Sequence, residues 1–471
     1  MSWDAVIIGS GPNGLSAGIA LAEAGAKVLI LESAGAVGGG TRTAELTLPG
    51  FYHDVCSAVH PTGVLSPYWK KLPLADYGLE WVYPEASVAH PLEDAPAVIL
   101  SKSLEATADS LGKDGKAWKK LIQPFLPHAE DLIQDSLKPL GVPKRPIELA
   151  RFGLNAMLPA ATLASLRFQT ERGQALLAGN AGHSVLPLGK PFSAAIGLLF
   201  SVMAHMVDWP VVKGGTMQLS QALLAHFQQL GGTVQTQHMV ASWEDIPAAK
   251  VYLFNTDPLQ LAHIAADKLP KGYRRRLEKF RYGPGAFKLD WALSESIPWK
   301  DPACLKASTV HIGGTLQEIA QSERDAWQGT HTERPYLILC QQSEIDSSRA
   351  PEGKHTGYAY CHVPHGSKRD MTEAIENQVE RFAPGFKDII LARYKTGPEA
   401  WHTYNPNNVG GVITGGAAHL PQLFTRPVAR WNPYTTPNRQ IFLCSAATPP
   451  GGGVHGMCGF YAAQAALKRL G

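Results

Sequence analysis

"DAVIIGSGPNGLSAGIALAEAGAKVLILES", residues 4–33, settles the architecture. Ala5 to Ile8 form a short apolar run, and Gly9, Gly11 and Gly14 follow in GxGxxG spacing. Residues 13–24 carry apolar positions at helical spacing, Gly25 stops that helix, and Lys27 to Leu31 form a second apolar run closed by Glu32. Strand, glycine turn, helix and a second strand ending in an acid make a βαβ unit, the setting in which GxGxxG signals a dinucleotide site. Gly9 permits the tight turn, Gly11 leaves the backbone open to a pyrophosphate, and Gly14 lets helix and strand pack closely. Pro12 and Asn13 open the helix, whose N-terminal N–H groups and partial positive charge favour phosphate. Glu32, followed by Ser33 and with no basic neighbour in the sequence, suits ribose hydroxyls and would repel a 2′-phosphate.

Six residues after Glu32 comes Gly38-Gly39-Gly40-Thr41-Arg42. Glycines punctuate surface loops, so a plain loop is one reading. The other is a second close approach of backbone to ligand through Gly39, Gly40 and Thr41, with Arg42 available for a phosphate. An acid followed by this glycine doublet resembles the FAD-binding signature of the glutathione-reductase-like flavoproteins, which implies FAD, not NAD. In proteins of that kind the flavin ring is held by a late strand, a glycine turn and a helix. "IFLCSAATPPGGGVHGMCGFYAAQAAL", residues 441–467, is similar to such a unit. The expected strand is Ile441 to Cys444, the turn Pro449 to Gly453, and the helix begins after Gly456. That likeness places Pro450, Gly452, Gly453, Val454 and Gly456 against the ring, with the helix N-terminus stabilising the charge that appears on reduction.

The two glycine turns together resemble the phytoene-desaturase-like flavoproteins (the carotenoid desaturase family), and within them the pyridine nucleotide-disulfide oxidoreductase domain 2 branch. "PGFYHDVCSAVHP" (49–61), "RYGPGAFKLDWAL" (281–293), "TVHIGGTLQEIA" (309–320) and "RAPEGKHTGYAYCHVP" (349–364) extend the likeness over essentially the whole chain. One departure stands out. Only "ASWEDIPAA" separates "GGTVQTQHMV" (231–240) from "KVYLFNTDP" (250–258), where relatives carry a longer β-excursion.

The expected fold is α/β: a glutathione-reductase-like, FAD-binding Rossmann domain assembled from discontinuous segments, plus a mixed substrate domain of antiparallel sheet with helices. Residues 1–70, 208–262 and 400–471 are assigned to the first; 71–207 and 263–399 to the second. Val251 to Phe254 is read as a strand of the nucleotide domain leading into Asn255, a further cofactor residue. In "AFKLDWAL" the apolar side chains Phe287, Leu289, Trp291 and Leu293 alternate with Lys288 and Asp290, a strand pattern. Phe192 to Val207, apolar but carrying Ser193, Ser201 and His205, falls short of the ~20 residues that span a bilayer and reads as a buried helix.

The resemblance implies hydride transfer from a substrate C–H to flavin N5, leaving a double bond; a proton must leave as well, so a base or an ordered water is needed. Lys288 and His455 are the catalytic candidates, against the plainer readings of a solvated strand lysine and a helix-capping histidine. His205 reads as a paired core histidine. "CHVPH" (361–365) raises zinc, but strand alternation sends Cys361 and His362 to opposite faces, so no metal is expected. The favoured substrate is lipophilic, isoprenoid or polyene-like; a small amine or heterocycle, or a non-catalytic FAD-holding partner, are the alternatives. Oxygen, a quinone or another protein would accept the electrons.

Composition agrees with a globular enzyme: 45% apolar, 18% charged and a formal charge of +3, which points to no nucleic-acid partner. The six scattered cysteines form no CxxC pair and read as reduced thiols. The opening residues read as the approach to a strand, not as a leader, so the expected compartment is the cytoplasm. The basic run "KGYRRRLEKFR" (271–281) leaves peripheral membrane contact open.

Overall fold

Two sheets organise residues 2–471, which the structure, a computed structural model, describes. In chain order the principal elements are β1 (Trp3–Ile8), α1 (Pro12–Glu23), β2 (Val28–Leu31), β3 (Ala86–His90), β4 (Val98–Leu100), α2 (Glu171–Gly182), α3 (Ser193–Val207), α4 (Met217–Gln229), β5 (Thr233–Gln235) and β6 (Ala249–Phe254). After these come β7 (Gly285–Leu293), β8 (Ala307–Ile312), α5 (Leu316–Gln328), β9 (Leu337–Cys340), β10 (His355–Val363), α6 (Thr372–Phe382), β11 (Ile390–Thr396), β12 (Ile441–Leu443) and α7 (Met457–Leu470).

The first sheet is parallel, in the order β12-β6-β1-β2-β5. Its strands are apolar on both faces because helices cover both. Ala5, Ile7, Val28 and Ile30 enter the core beneath α1, α4 and α7. Val6, Ile8, Leu29 and Leu31 point the other way, onto the helices at Pro258–Ile264 and Lys271–Leu277. The sheet therefore draws strands from residues 3–31, 233–254 and 441–443, and α7, near the end of the chain, lies against α1, near its beginning.

The second sheet has seven strands in the order β11-β7-β10-β9-β8-β3-β4, antiparallel throughout except for the parallel β8–β3 pair. One face is apolar: Phe287, Leu289, Trp291, Leu339, Cys361 and Val310 pack with Ile375, Val379 and Phe382 of α6. The other face is polar. Lys288 stands opposite Tyr360, Asp290 opposite Tyr358 and Ala286 opposite His362, so these side chains share that face. Ile338 and Cys340 continue it through β9, and His311 and Thr309 through β8. The alternation read from "AFKLDWAL" is thus correct, but its polar side is buried, not solvated: Lys288 is 1% exposed and Asp290 fully buried.

Residues 71–207, in which the sequence reading identified no strand, also supply β3 and β4 to this sheet. Runs this short carry no periodicity that separates strand from helix. Within the helical part, α3 packs against α2 and the helices at Gly115–Ile122, Pro146–Ala156 and Ala160–Arg167. Its polar side chains are satisfied there. Ser193 donates to the Lys190 carbonyl, Asn180 donates to Ser201, and His205 Nε2 accepts from the Trp118 indole at 3.0 Å. Among the described residues no helix is long and apolar enough to cross a membrane, and all six cysteines are free.

Close packing of α7 on α1 depends on Gly459, where a Cβ would fall on the backbone carbonyl of Asn13. Gly459→Ala should therefore destabilise the protein by about 2 kcal/mol or more, the scale of overpacking a rigid backbone contact. A denaturant midpoint equal to that of the unsubstituted protein would contradict this packing.

Candidate active site

A cleft of about 1220 Å³, open solvent included, lies at the carboxyl ends of β1, β2 and β6, where open parallel sheets place ligands. It is lined by Gly9, Gly11, Pro12, Asn13, Glu32, Ser33, Gly39, Gly40, Arg42 and Asn255. The two N-terminal glycine turns meet there backbone to backbone: a Cβ on Gly39 would sit 3.1 Å from the Gly11 Cα. Gly9 adopts φ +96°, and a Cβ on Gly14 would strike the Gly9 carbonyl oxygen, so neither tolerates a side chain. Asn255 ties the turn to β6 by donating to the Gly9 carbonyl at 3.3 Å. No side chain caps α1, and the buried Asn13 Oδ1 has no partner. An uncapped helix N-terminus with glycines in contact beside it offers free backbone N–H groups to a pyrophosphate, so these residues fit a dinucleotide.

Glu32 differs in one respect from its sequence reading. Its carboxylate accepts from the Ser10 N–H at 2.9 Å, the Ser10 hydroxyl and the Ala34 N–H at 2.9 Å, and it pairs with Arg42 at 3.2 Å. A basic residue is therefore beside it after all, brought back by the 38–42 loop. Arg42 also donates to the carbonyls of Val37 and Ala36 and lies 5.4 Å over the Tyr404 ring. The guanidinium fastens the loop and aims Glu32, where the sequence reading held it free for a phosphate. Thr41 and Gly14 stand behind the lining; the Thr41 hydroxyl bonds to the Gly38 carbonyl and to Ser220 of α4.

The C-terminal turn departs further. At that end the cleft is walled by Ile413, Gly415, Ser445, Ala446 and Ala447, and Pro450, Gly452, Gly453, Val454 and Gly456 are not among its lining residues. The 413–415 segment lies over the turn: a Cβ on Gly452 would land on the Thr414 carbonyl oxygen. The close approach that glycine allows is taken up by this backbone contact. Gly456, at φ +70°, packs instead against Ser16 and Trp69. His455 is fully buried and its Nδ1 accepts from the Met457 N–H at 3.0 Å, while burial lowers its pKa to about 4 and keeps the ring neutral. The structure gives its Nδ1 a capping role and leaves its Nε2 buried without a partner.

Sequence reasoning missed the segment 404–408. Tyr404 donates to the Gly39 carbonyl at 2.7 Å, and Asn407 accepts from the Asp257 N–H and donates to the Asn255 carbonyl. "TYNPNNVGG", residues 403–411, carries enough asparagine and glycine to mark a functional loop. His238, Met239 and Val240 line the cleft beyond Glu32, so the shortened connection before β6 still supplies that wall.

Lys288 lies behind Cys56, which lines the cleft. Its ammonium donates to the Asp54 carbonyl at 3.0 Å and to Asp290, and lies 4.2 Å over the Tyr358 ring. Asp54 is held in turn by Arg349, Thr43 and the Thr216 N–H. Burial alone would raise the Asp54 carboxyl, but the Arg349 guanidinium and these hydrogen bonds hold it below the ordinary range. Asp290 has no such cage. One of its oxygens lacks a partner, and burial outweighs the Lys288 ammonium, lifting the carboxyl to about 6.

The NAD(P)-binding Rossmann-like domain model matches residues 7–72. The chain is 26% identical to the mouse (Mus musculus) pyridine nucleotide-disulfide oxidoreductase domain-containing protein 2, over 99% of this chain and 94% of that one. It is 22% identical to a limonene dehydrogenase polypeptide of Castellaniella defragrans, over 99% and 95%. Its fold is similar to that of putrescine oxidase bound to putrescine, with a TM-score of 0.61, 17% identity and 99% coverage of both chains. With the cleft described above, these likenesses place the chain among the FAD/NAD(P)-binding oxidoreductases, as an FAD-dependent enzyme on an amine-oxidase-like fold.

The raised Asp290 carboxyl has a pH signature. A carboxyl lifted in the fold binds its proton more tightly there than in the unfolded chain, so stability rises as pH falls from 7 through 6 and is lost again as pH rises. Asp290→Asn removes that contribution, and its melting temperature should change less between pH 5 and pH 7 than that of the unsubstituted protein. Parallel curves for the two proteins would contradict the shift.

Proposed function

We propose that this FAD-dependent oxidoreductase takes a hydride from a C–H bond of a small, hydrogen-bonding substrate held on the polar face of the seven-stranded sheet. The observation that carries this reading is that face itself. Lys288, Tyr358, Tyr360, His362 and His311 project from adjacent strands to one side, and the cleft residue Cys56 lies beside Lys288 and Tyr360. A wall of hydroxyl, imidazole and ammonium groups can orient a polar substrate through the positions its internal bonds leave over, as at His362 Nε2 and His311 Nδ1. The putrescine oxidase likeness supports a compact, polar substrate in the same direction.

FAD supplies the hydride acceptor when bound. The residues of this chain do the rest. Lys288, held by Asp54 and Asp290, presents a fixed cationic donor that can keep a water or a substrate lone pair in place. Tyr358 and Tyr360, both deep in the protein, have hydroxyls that burial keeps in the neutral, donating form. A second reading, a lipophilic substrate, rests on the likeness to the limonene dehydrogenase polypeptide. Against it, α3, the long apolar segment of the chain, is packed among other helices.

Anaerobic mixing of the FAD-loaded protein with primary amines, nitrogen heterocycles, limonene and a detergent-solubilised polyene separates the two readings. Bleaching of the oxidised-flavin bands by amines or heterocycles is expected, and bleaching by limonene or the polyene alone would overturn the polar-substrate reading. Lys288→Met leaves Asp290 buried without its cation, so the paired change Lys288→Met with Asp290→Asn is the better probe. It should retain FAD and slow bleaching about 100-fold, the usual range for losing a positioned proton-transfer group. An unchanged rate would remove Lys288 from the chemistry.

A further inference from the structure

Glu323 and His362 form a buried pair that the cofactor cleft does not use. Glu323, on α5, is fully buried and His362, on β10, is 6% exposed. The His362 Nδ1–H donates to both carboxylate oxygens, at 2.8 and 2.9 Å. This bond fixes the tautomer and leaves Nε2 with a free lone pair, buried and without a partner. A fully buried carboxylate aligned on one imidazole is expensive to keep. It is also the arrangement that orients an imidazole as a base.

The pair stands on the polar face that also carries Lys288. His362 shares the polar face with Lys288, two residues further along β10 than Tyr360, Lys288's partner in register. Its ring lies 5.8 Å from that of Tyr360, and Tyr360 feels both Glu323 and the cleft residue Cys56. On the other side, Trp327 follows Glu323 by one turn of α5. A Cβ on Gly283 would sit 3.5 Å from the Trp327 ring and 3.4 Å from Ala417, two residues beyond the cleft residue Gly415. The helix that carries Glu323 thus packs, through Trp327, close to the 413–415 wall.

We propose that His362, aimed by Glu323, is the proton acceptor of the reaction, and that the substrate carries an N–H or O–H on the carbon that is oxidised. This rests on the hydride-transfer reading above. The C–H bond breaks with its electron pair leaving as hydride to FAD. The N–H or O–H bond breaks with its proton going to His362 Nε2, and the electron pair left behind closes a C=N or C=O bond. Glu323 is a positioning residue that holds the ring by Nδ1 and leaves Nε2 free. The titratable groups around the pair are His183 from the end of α2, Tyr360 and Cys361 from β10, and Tyr336 beside Glu323; Ala286, opposite on β7, carries no charge.

The test uses the FAD-loaded full-length protein, with benzylamine and benzyl alcohol as probes and flavin bleaching followed by anaerobic stopped flow from pH 6 to 10. His362→Gln should keep its flavin spectrum and bind the probe within about threefold of normal, yet bleach about 100-fold more slowly. The fall in rate on the acid side of the profile should vanish in His362→Gln and move to lower pH in Glu323→Gln, a shift that a merely structural glutamate would not produce. Bleaching by His362→Gln at the unsubstituted rate and profile would overturn the proposal and leave the hydride reading standing. In parallel, ¹⁵N-histidine spectra identify His362 by the signal that His362→Gln lacks. If that signal moves on adding benzylamine while neither probe bleaches the flavin, the pair is upheld as a binding site and the hydride reading fails for these substrates. If neither happens, both are overturned.

Discussion

The backbone contact between α1 and α7 is the constraint on which the remaining structure depends. Gly459 meets the Asn13 carbonyl, Gly456 meets the Ser16 and Trp69 side chains, and Gly14 meets the Gly9 carbonyl, so a side chain at any of the three would force the layers apart. Through this contact the last helix of the chain fixes the first, and with it the glycine turn that opens the dinucleotide cleft. β12 is placed beside β6 by the same return of the chain. Its following residues, Ser445 to Ala447, then close the far end of the cleft. The glycine-dense C-terminus therefore clasps the last helix onto the first.

The second sheet divides its labour between its faces. The apolar face makes a core with α6, and that core allows the opposite face to hold a lysine, an aspartate, tyrosines and histidines away from bulk water. Each buried charge there has a named partner: Lys288 with Asp290 and the Asp54 carbonyl, Arg349 with Asp54 and Asp346, Glu323 with His362. Such pairs are weak evidence for stability, since apolar residues of similar size often do as well. Their concentration on and beside one face of the sheet argues for chemistry.

Much of this was legible in the sequence. GxGxxG between two apolar runs gave the first βαβ unit and its glycine contacts, and alternation in "AFKLDWAL" gave the strand that carries Lys288. The length and polar residues of 192–207 foretold a buried helix, and strand parity separated Cys361 from His362. Other features depend on contacts between residues far apart in sequence, which no local pattern records. Arg42 folds back on Glu32, the 413–415 segment covers Gly452, and Glu323 reaches His362 across 39 residues. The burial of Lys288 belongs to the same class, because alternation assigns a face but not what covers it. His455 could be read either way from sequence, and only the Met457 N–H decides for the cap.

The central claim is that the cleft at the ends of β1, β2 and β6 holds one FAD. Titration of FAD into the flavin-free protein, followed by the quenching of flavin fluorescence, tests it most directly. The account predicts saturation at one FAD per chain, with no displacement by NADH or NADPH. A protein that binds no FAD, or that releases it to a nicotinamide dinucleotide competing for the same site, would contradict it.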